Sequence, residues 1–526
     1  MTAGRMFTAL FLAVVCIASF SACGDYSQSK IILEWSQKNY TLTIGATIEL
    51  SYTAEENGVA VPESELQFSS DDERIVRIED GKINAVSEGE TKIVIRYRDS
   101  VSNATVTVTH PSVIEEELVF PQKVYALAVG IEGVNSATVS CTLKRNGEAV
   151  ENAEISYRLQ NEGIAEIDEN GKLIAKAVGK TVMTATCGSV SATADVTVYA
   201  TATEEQINSY SEEYVNLFGR NDLSMGALVL DNVASGMEFV FYGTEVKAEI
   251  QSTAALYCRV YLDGDQSGKR LSVAKGKADY SLATGLEKGI HTVRLLKSSE
   301  IYDGQIKLIG ISGAEQYLRA EKRLLSLEFI GDSITCGYGV LGTGSRTVEN
   351  SDACCSFATL TAMNLDADFS CIALQGICVK ALMWQQVSMN DMYRVTSLKT
   401  YNPFSFGDSP DAVILGLGTN DAAYLERHPE YAKQFSSDYA DFLRYVRQKR
   451  PNAYIVCVYG MMGRNVQIDA GIMQAIENLN DEKISYLSTF EKNNVGADGH
   501  PSFVAQKEYS EILSEYLTSL LWTTEA

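Results

Sequence analysis

Histidine is scarce in this chain: four residues in 526, at positions 110, 291, 428 and 500. Chemistry that needs an imidazole near neutral pH must use one of those four. Proline is sparse too, at 8 residues, and no low-complexity tract occurs, which argues against disordered and collagen-like classes. Basic residues are outnumbered, 44 Lys and Arg against 68 Asp and Glu, for a formal charge of -24. Phosphate recognition needs clustered Lys and Arg, so no nucleic acid is expected as a partner. Polyanionic substrates are disfavoured as well, and neutral ones stay open. Beyond the N-terminus no apolar run reaches membrane-spanning length. The 11 cysteines lack metal-ligand spacing. A bridge between the neighbours Cys354 and Cys355 would be strained, so most cysteines read as small buried apolar residues. Cys141 with Cys187 is a candidate disulfide.

A chain of 526 residues exceeds one core and predicts three or four domains. Residues 1–22 carry the pattern of an export signal: Arg5 gives a basic start, and Met6 to Phe20 is apolar but short for a bilayer span. Phe20-Ser21-Ala22-Cys23 resembles a bacterial lipobox, in which Cys23 would be lipidated and become the mature N-terminus. The expected location is extracellular or at the cell surface, with a lipid as the only membrane attachment. Phenylalanine in the lipobox departs from the usual aliphatic residue, which leaves plain secretion open. Two segments then repeat with a period of 90 residues, since Gly81 pairs with Gly171 and Gly89 with Gly179. Asp80-Gly81 and Asn170-Gly171 lie between alternating apolar residues, a hairpin signal. Several short strands in each copy imply β-sandwiches over 31–110 and 112–199. A polar linker follows, then a third β-rich block over 205–315 whose alternating strands and glycine turns suggest a jelly roll. His291 lies in one of its strands between apolar residues and reads as structural.

From 324 to 524 strands and helices alternate. Strands are expected at 325–330, 369–374, 411–417, 453–459 and 484–490, with helices over Tyr431 to Arg450 and Ser502 to Leu521. That alternation predicts a doubly wound α/β domain with a five-stranded parallel sheet. In such sheets ligands bind at the carboxyl ends of the strands. Those ends carry Gly331-Asp332-Ser333, Gly376, Gly418-Thr419-Asn420-Asp421 and the segment leading to Asp498-Gly499-His500-Pro501. Acyl transfer needs a nucleophile, a base and donors for an oxyanion. Ser333 suits the first role and His500 the second. The donors are the Ser333 and Gly376 N–H groups and the Asn420 amide. His428 is the rival base, but its flanks read as a polar helix entry.

These four blocks resemble those of the GDSL/SGNH hydrolases. The preceding stretches Ser235-Gly236-Met237-Glu238-Phe239-Val240-Phe241-Tyr242-Gly243-Thr244 and Tyr261-Leu262-Asp263-Gly264-Asp265 are similar to the leading domain of carbohydrate esterase family 2. The repeat around Gly81 and Gly171 resembles bacterial Ig-like group 2 domains, which usually act as spacers or adhesive stalks. The resemblance implies an acetylxylan esterase-like enzyme that removes acetyl groups from plant polysaccharide such as xylan or glucomannan. No metal or other cofactor is implied, and the chain is expected to act as a monomer. It also implies either a Ser-His-Asp triad or a dyad assisted by a backbone carbonyl. Asp498, two residues before His500, is the candidate orienter. Family members often carry tryptophan where this chain has Gly499; Trp384 is the remaining candidate sugar platform, with core packing as the alternative. Two rival functions stay open: an SGNH esterase or lipase acting on another ester, and an inert surface adhesin or glycan-binding protein.

Overall fold

The computed structural model of the chain describes residues 30–110, 115–223, 226–382, 386–488 and 494–522. The expected export signal, Cys23 and Trp384 lie outside those residues. The chain divides into two compact units, Met1–Glu115 and Glu116–Ala526.

The first unit is built of β-strands. Its largest sheet pairs Asn39–Thr43 in parallel with Ser100–Thr109, then continues antiparallel through Gly89–Tyr97 to Gln67–Ser70. Trp35, Val76, Ile83, Ile93, Ile95 and Val106 fill the core behind it. The second unit opens with the same arrangement: Val124–Ala128 parallel to Val190–Tyr199, then Gly179–Cys187 and Ser156–Leu159. The 90-residue period has a steric basis at one pair of glycines. Gly89 and Gly179 both have φ near +148°, and an added Cβ would lie 2.7 Å from Ile75 Cδ1 and 2.6 Å from Ile164 Cδ1. Each copy closes its strand over an isoleucine, and only glycine fits there. Cys141 and Cys187 border one small apolar cluster and are unbridged.

Next comes an antiparallel β domain of two facing sheets. One contains Gly236–Gly243, Gly289–Lys297 and Leu256–Leu262; the other contains Val246–Ser252, Gly276–Ala283 and Ile306–Ser312. Phe239, Phe241, Ile250, Val293, Leu295 and Leu308 lie between them. Ala128 of the preceding β module joins Val240, Leu318 and Ala320 of this domain in a buried cluster.

The C-terminal domain carries the parallel sheet. We label its strands β1 (Ser326–Gly331), β2 (Asp368–Ala373), β3 (Ala412–Gly416), β4 (Tyr454–Tyr459) and β5 (Ile484–Ser488). All four pairings are parallel, in the order β2-β1-β3-β4-β5. Alternate residues of each strand face opposite layers, because the side-chain period of a strand is two. Leu327, Phe329 and Ile414 meet helices α1 (Phe357–Asn364) and α5 (Phe503–Leu521). Ile330, Val413 and Leu415 meet α3 (Tyr431–Lys449) and α4 (Val466–Leu479). A further helix, α2 (Thr419–Leu425), starts directly after β3. With helices on both faces, the strands read as apolar runs and their carboxyl ends form one open rim.

Candidate active site

Sharp turns bring the rim residues into place. β1 ends at Gly331, and Asp332 folds under the turn with its Oδ1 accepting the Ile334 N–H at 3.0 Å. Asp332 is 1% exposed, and burial pushes its carboxyl up to about 6. Ser333, 5% exposed, is thereby held on the rim. His500 arrives from the far end of the domain, 167 residues later in the sequence, and its Nε2 lies 2.9 Å from Ser333 Oγ. Gly339 makes this meeting feasible. Its φ is +60°, and a Cβ there would lie 2.3 Å from the Ala497 Cβ. The loop after β1 therefore packs directly on the loop that carries the histidine, and the Ala497 N–H donates to the Gly339 carbonyl at 3.0 Å.

The far nitrogen of His500 faces the backbone, one of the two orienters that the sequence leaves open. Nδ1 lies 3.2 Å from the Ala497 carbonyl, not against a carboxylate. Asp498 has a left-handed backbone (φ 51°), which turns its carboxylate the other way. Its Oδ2 accepts the Tyr338 hydroxyl at 3.0 Å and the Arg346 N–H at 2.9 Å. Tyr338 in turn stacks on His500, with ring centroids 4.1 Å apart and planes at 27°. Sequence reasoning missed Tyr338, because nothing local marks a contact spanning 160 residues. A carbonyl acceptor fixes Nδ1–H and leaves Nε2 as the lone-pair nitrogen facing the serine.

This geometry separates two roles for Asp498. A carboxylate that orients the imidazole directly costs kcat ~10⁴-fold when neutralised. Asp498→Asn is expected to cost less than ~10-fold here, because the Ala497 carbonyl keeps the tautomer. A fall in kcat near 10⁴-fold for aryl acetate hydrolysis would return Asp498 to the imidazole.

Gly376 lies just past β2 in a left-handed conformation, φ 71°. Asn420 lies in the first turn of α2, and its Nδ2 donates to the Ile377 carbonyl at 3.0 Å, tying the two loops together. An amide nitrogen carries two donors, so a second N–H can serve a substrate oxygen. Asp421 is fully buried beneath them, accepting the Tyr431 hydroxyl at 3.2 Å, and burial raises its carboxyl to about 7. The other described histidines are engaged elsewhere. His110 lies 3.5 Å from Glu88, His291 bridges Asp263 Oδ2 and the Glu287 carbonyl at 2.8 Å each, and His428 stacks on Tyr424. A cavity of about 760 Å³ lies away from the serine, lined by Tyr125 and Tyr199 of the second β module and by Tyr261, Asp263 and Arg323.

Burial lowers the His500 pKa below its ordinary 6.5, with the Ala497 carbonyl opposing the shift. The neutral ring is the form that can accept the serine proton, so kcat/KM should rise with pH and level off. The midpoint is expected on the acid side of 6.5; a midpoint clearly above it in a kcat/KM profile would contradict the buried neutral ring.

The parallel five-stranded sheet, the β-rich region before it and the glycine-rich turns of its rim define a GDSL-like α/β protein. Residues 217–320 match the model "Carbohydrate esterase 2 N-terminal", and residues 329–492 match the "GDSL-like Lipase/Acylhydrolase family". Through this C-terminal part the chain is similar to carbohydrate esterase family 2. It is 30% identical over 306 residues to the cellulase/esterase CelE of Acetivibrio thermocellus, covering 55% of this chain and 37% of that protein. It is 28% identical over 198 residues to an acetylxylan esterase / glucomannan deacetylase of Cellvibrio japonicus, covering 34% of this chain and 53% of that protein. The chain thus spans between about a third and a half of the length of these curated relatives. A family two carbohydrate esterase from Clostridium thermocellum, solved in complex with cellohexaose, superimposes with a TM-score of 0.53 at 26% identity, covering 58% of this chain and 99% of that one.

Proposed function

We propose that this chain is a serine esterase that removes O-acetyl groups from plant cell-wall polysaccharide such as xylan or glucomannan. The observation that carries the reading is the 2.9 Å contact between His500 Nε2 and Ser333 Oγ at the carboxyl rim of a parallel sheet. His500 takes the serine proton as Oγ attacks the acetyl carbonyl. The oxyanion is met by the Ser333 and Gly376 N–H groups and the Asn420 amide, and His500 then protonates the leaving sugar hydroxyl. Water, deprotonated by the same ring, releases acetate from the acetyl-enzyme. Two named relatives, an acetylxylan esterase / glucomannan deacetylase among them, support the substrate class.

In this reading the β domain before the catalytic sheet is the jelly roll of the esterase. The two repeats over 31–110 and 112–199 are bacterial Ig-like spacers. Residues 1–22 direct export, and Cys23 carries a lipid at the cell surface. The test is acetate release from acetylated xylan beside acetylated glucomannan, with aryl acetate and aryl octanoate as small esters. Release from either polymer together with rejection of octanoate is the expected result. Faster turnover of octanoate than of acetate would transfer the protein to the lipases. Binding of glycan with no turnover of any ester would make it an inert binding protein.

A further inference from the structure

The β domain reaches the catalytic rim with one short loop. Glu300 and Ile301 are each 1% exposed, and the Asp303 carboxylate is clamped by Arg346. Glu300 Oε2 accepts the N–H of Gln375, the residue before Gly376, at 3.2 Å. Ile301 shares a buried cluster with Leu374 and Ile377 on either side of the same turn. Tyr302 stands between these anchored residues and is 48% exposed. A ring is thus projected from a fixed base beside the loop that offers Gly376.

A second exposed ring stands near it. Tyr401 is 61% exposed and has a left-handed backbone, φ 55°. Its N–H donates to the Ser397 carbonyl at 2.8 Å, and Ser397 Oγ donates to Asp231 Oδ2 at 2.5 Å. Gln305, three residues after Tyr302, donates to Asp231 Oδ1 at 2.9 Å. Lys297 is fully buried, and its Nζ ties the Asp231 carbonyl at 2.6 Å to the Glu300 carbonyl at 3.2 Å. Both tyrosine loops are therefore fastened to one carboxylate and one lysine. Burial raises the Tyr302 hydroxyl pKa, with smaller contributions from Tyr401 and Glu300. A bulky residue with positive φ persists only where its surroundings enforce it, and such residues cluster at ligand sites.

We infer that Tyr302 and Tyr401 form an aromatic subsite beside the catalytic rim, on which sugar rings of a neutral polysaccharide stack. A pyranose presents C–H faces to an aromatic ring and hydroxyls to water, which suits tyrosine, apolar in its body and polar at its tip. The chain's charge of -24 favours an uncharged glycan over a polyanionic one. This inference rests on the glycan-esterase reading above and extends it to the binding of the polymer.

The test uses the full chain carrying Ser333→Ala, titrated with acetyl-free xylohexaose and mannohexaose. The expected result is measurable binding of at least one, weakened about 3- to 10-fold by Tyr302→Ala and again by Tyr401→Ala. Tyr302→Phe and Tyr401→Phe should keep most of it. Tyr401→Gly sharpens the test, because glycine relieves the positive φ while removing the ring. It should raise the melting temperature and weaken binding together. Unchanged affinity in the double alanine variant overturns the subsite, and so does absence of binding by the Ser333→Ala parent. Acetate release by the wild-type chain is read separately, so loss of the esterase reading and loss of the subsite give different results.

Discussion

Ser333→Ala is expected to lower aryl acetate hydrolysis by roughly 10⁴- to 10⁶-fold without shifting the melting temperature measurably. The serine hydroxyl is the only group on the rim within hydrogen-bond reach of His500 Nε2 among the described contacts. Its removal deletes one small atom from a site that is already almost closed, so packing hardly changes. The companion variant, His500→Ala, should cost a similar factor. The double variant should cost little more than either single one, because nucleophile and base act as a unit. Full activity in Ser333→Ala would remove the nucleophile from the mechanism. A double variant whose loss equals the product of the two single losses would mean that serine and histidine act independently. The residual rate of the double variant would then measure what the oxyanion donors and substrate binding supply alone.

The catalytic domain was legible because its signals are local. Four apolar runs that end at glycine turns and a fifth, mixed run predicted five strands, and each begins and ends within two residues of its expected limits. The helix expected over Tyr431 to Arg450 spans Tyr431–Lys449, and Ser502 caps the helix that follows. Repeat glycines were legible for the same reason, since a backbone that must pass close to an isoleucine leaves glycine at a fixed interval. What was not legible depends on which way a side chain turns. Asp498 stands two residues before His500, and spacing alone cannot show that its positive φ sends the carboxylate to Tyr338. The Ala497 carbonyl leaves no mark in a sequence at all, because every residue has one. Glu300 and Asp303 belong to the preceding β domain, so their link to Arg346 and Gln375 appears only once the two domains are folded together. The rim of this site is built by two domains, and a motif search reads only one.

Glu328→Ala is expected to produce the largest loss of stability, about 3–5 kcal/mol. Glu328 stands in β1, and its side chain is 2% exposed. Arg450, at the end of α3, grips both of its oxygens, with Nε to Oε2 at 2.9 Å and Nη2 to Oε1 at 3.0 Å. Tyr393 donates its hydroxyl to Oε2 at 2.8 Å, and Arg220 approaches Oε1 at 3.4 Å. Arg220 comes from the β domain, is 1% exposed, and also lies 3.9 Å from the centre of the Phe404 ring. Removing the carboxylate would leave two guanidiniums buried and uncompensated, one from each domain. At roughly 2–4 °C per kcal/mol for a domain of this size, the melting temperature should fall by about 6–20 °C. Glu328→Gln, which keeps the shape and loses the charge, should fall between. Desolvation pushes the Glu328 carboxyl up, but the Arg450 hydrogen bonds and the Arg220 charge outweigh it and hold the pKa below the ordinary carboxylate range. A carboxylate whose folded pKa is depressed stabilises the fold above its unfolded value, near 4.3, and loses that contribution as pH falls through the folded one. The gap between wild type and Glu328→Gln should therefore be constant near neutrality and shrink below about pH 4. A gap that widens on acidification would show that the buried carboxyl is protonated in the native state, leaving the interdomain links of Asp303 with Arg346 and Glu300 with Gln375 but not the charge of Glu328.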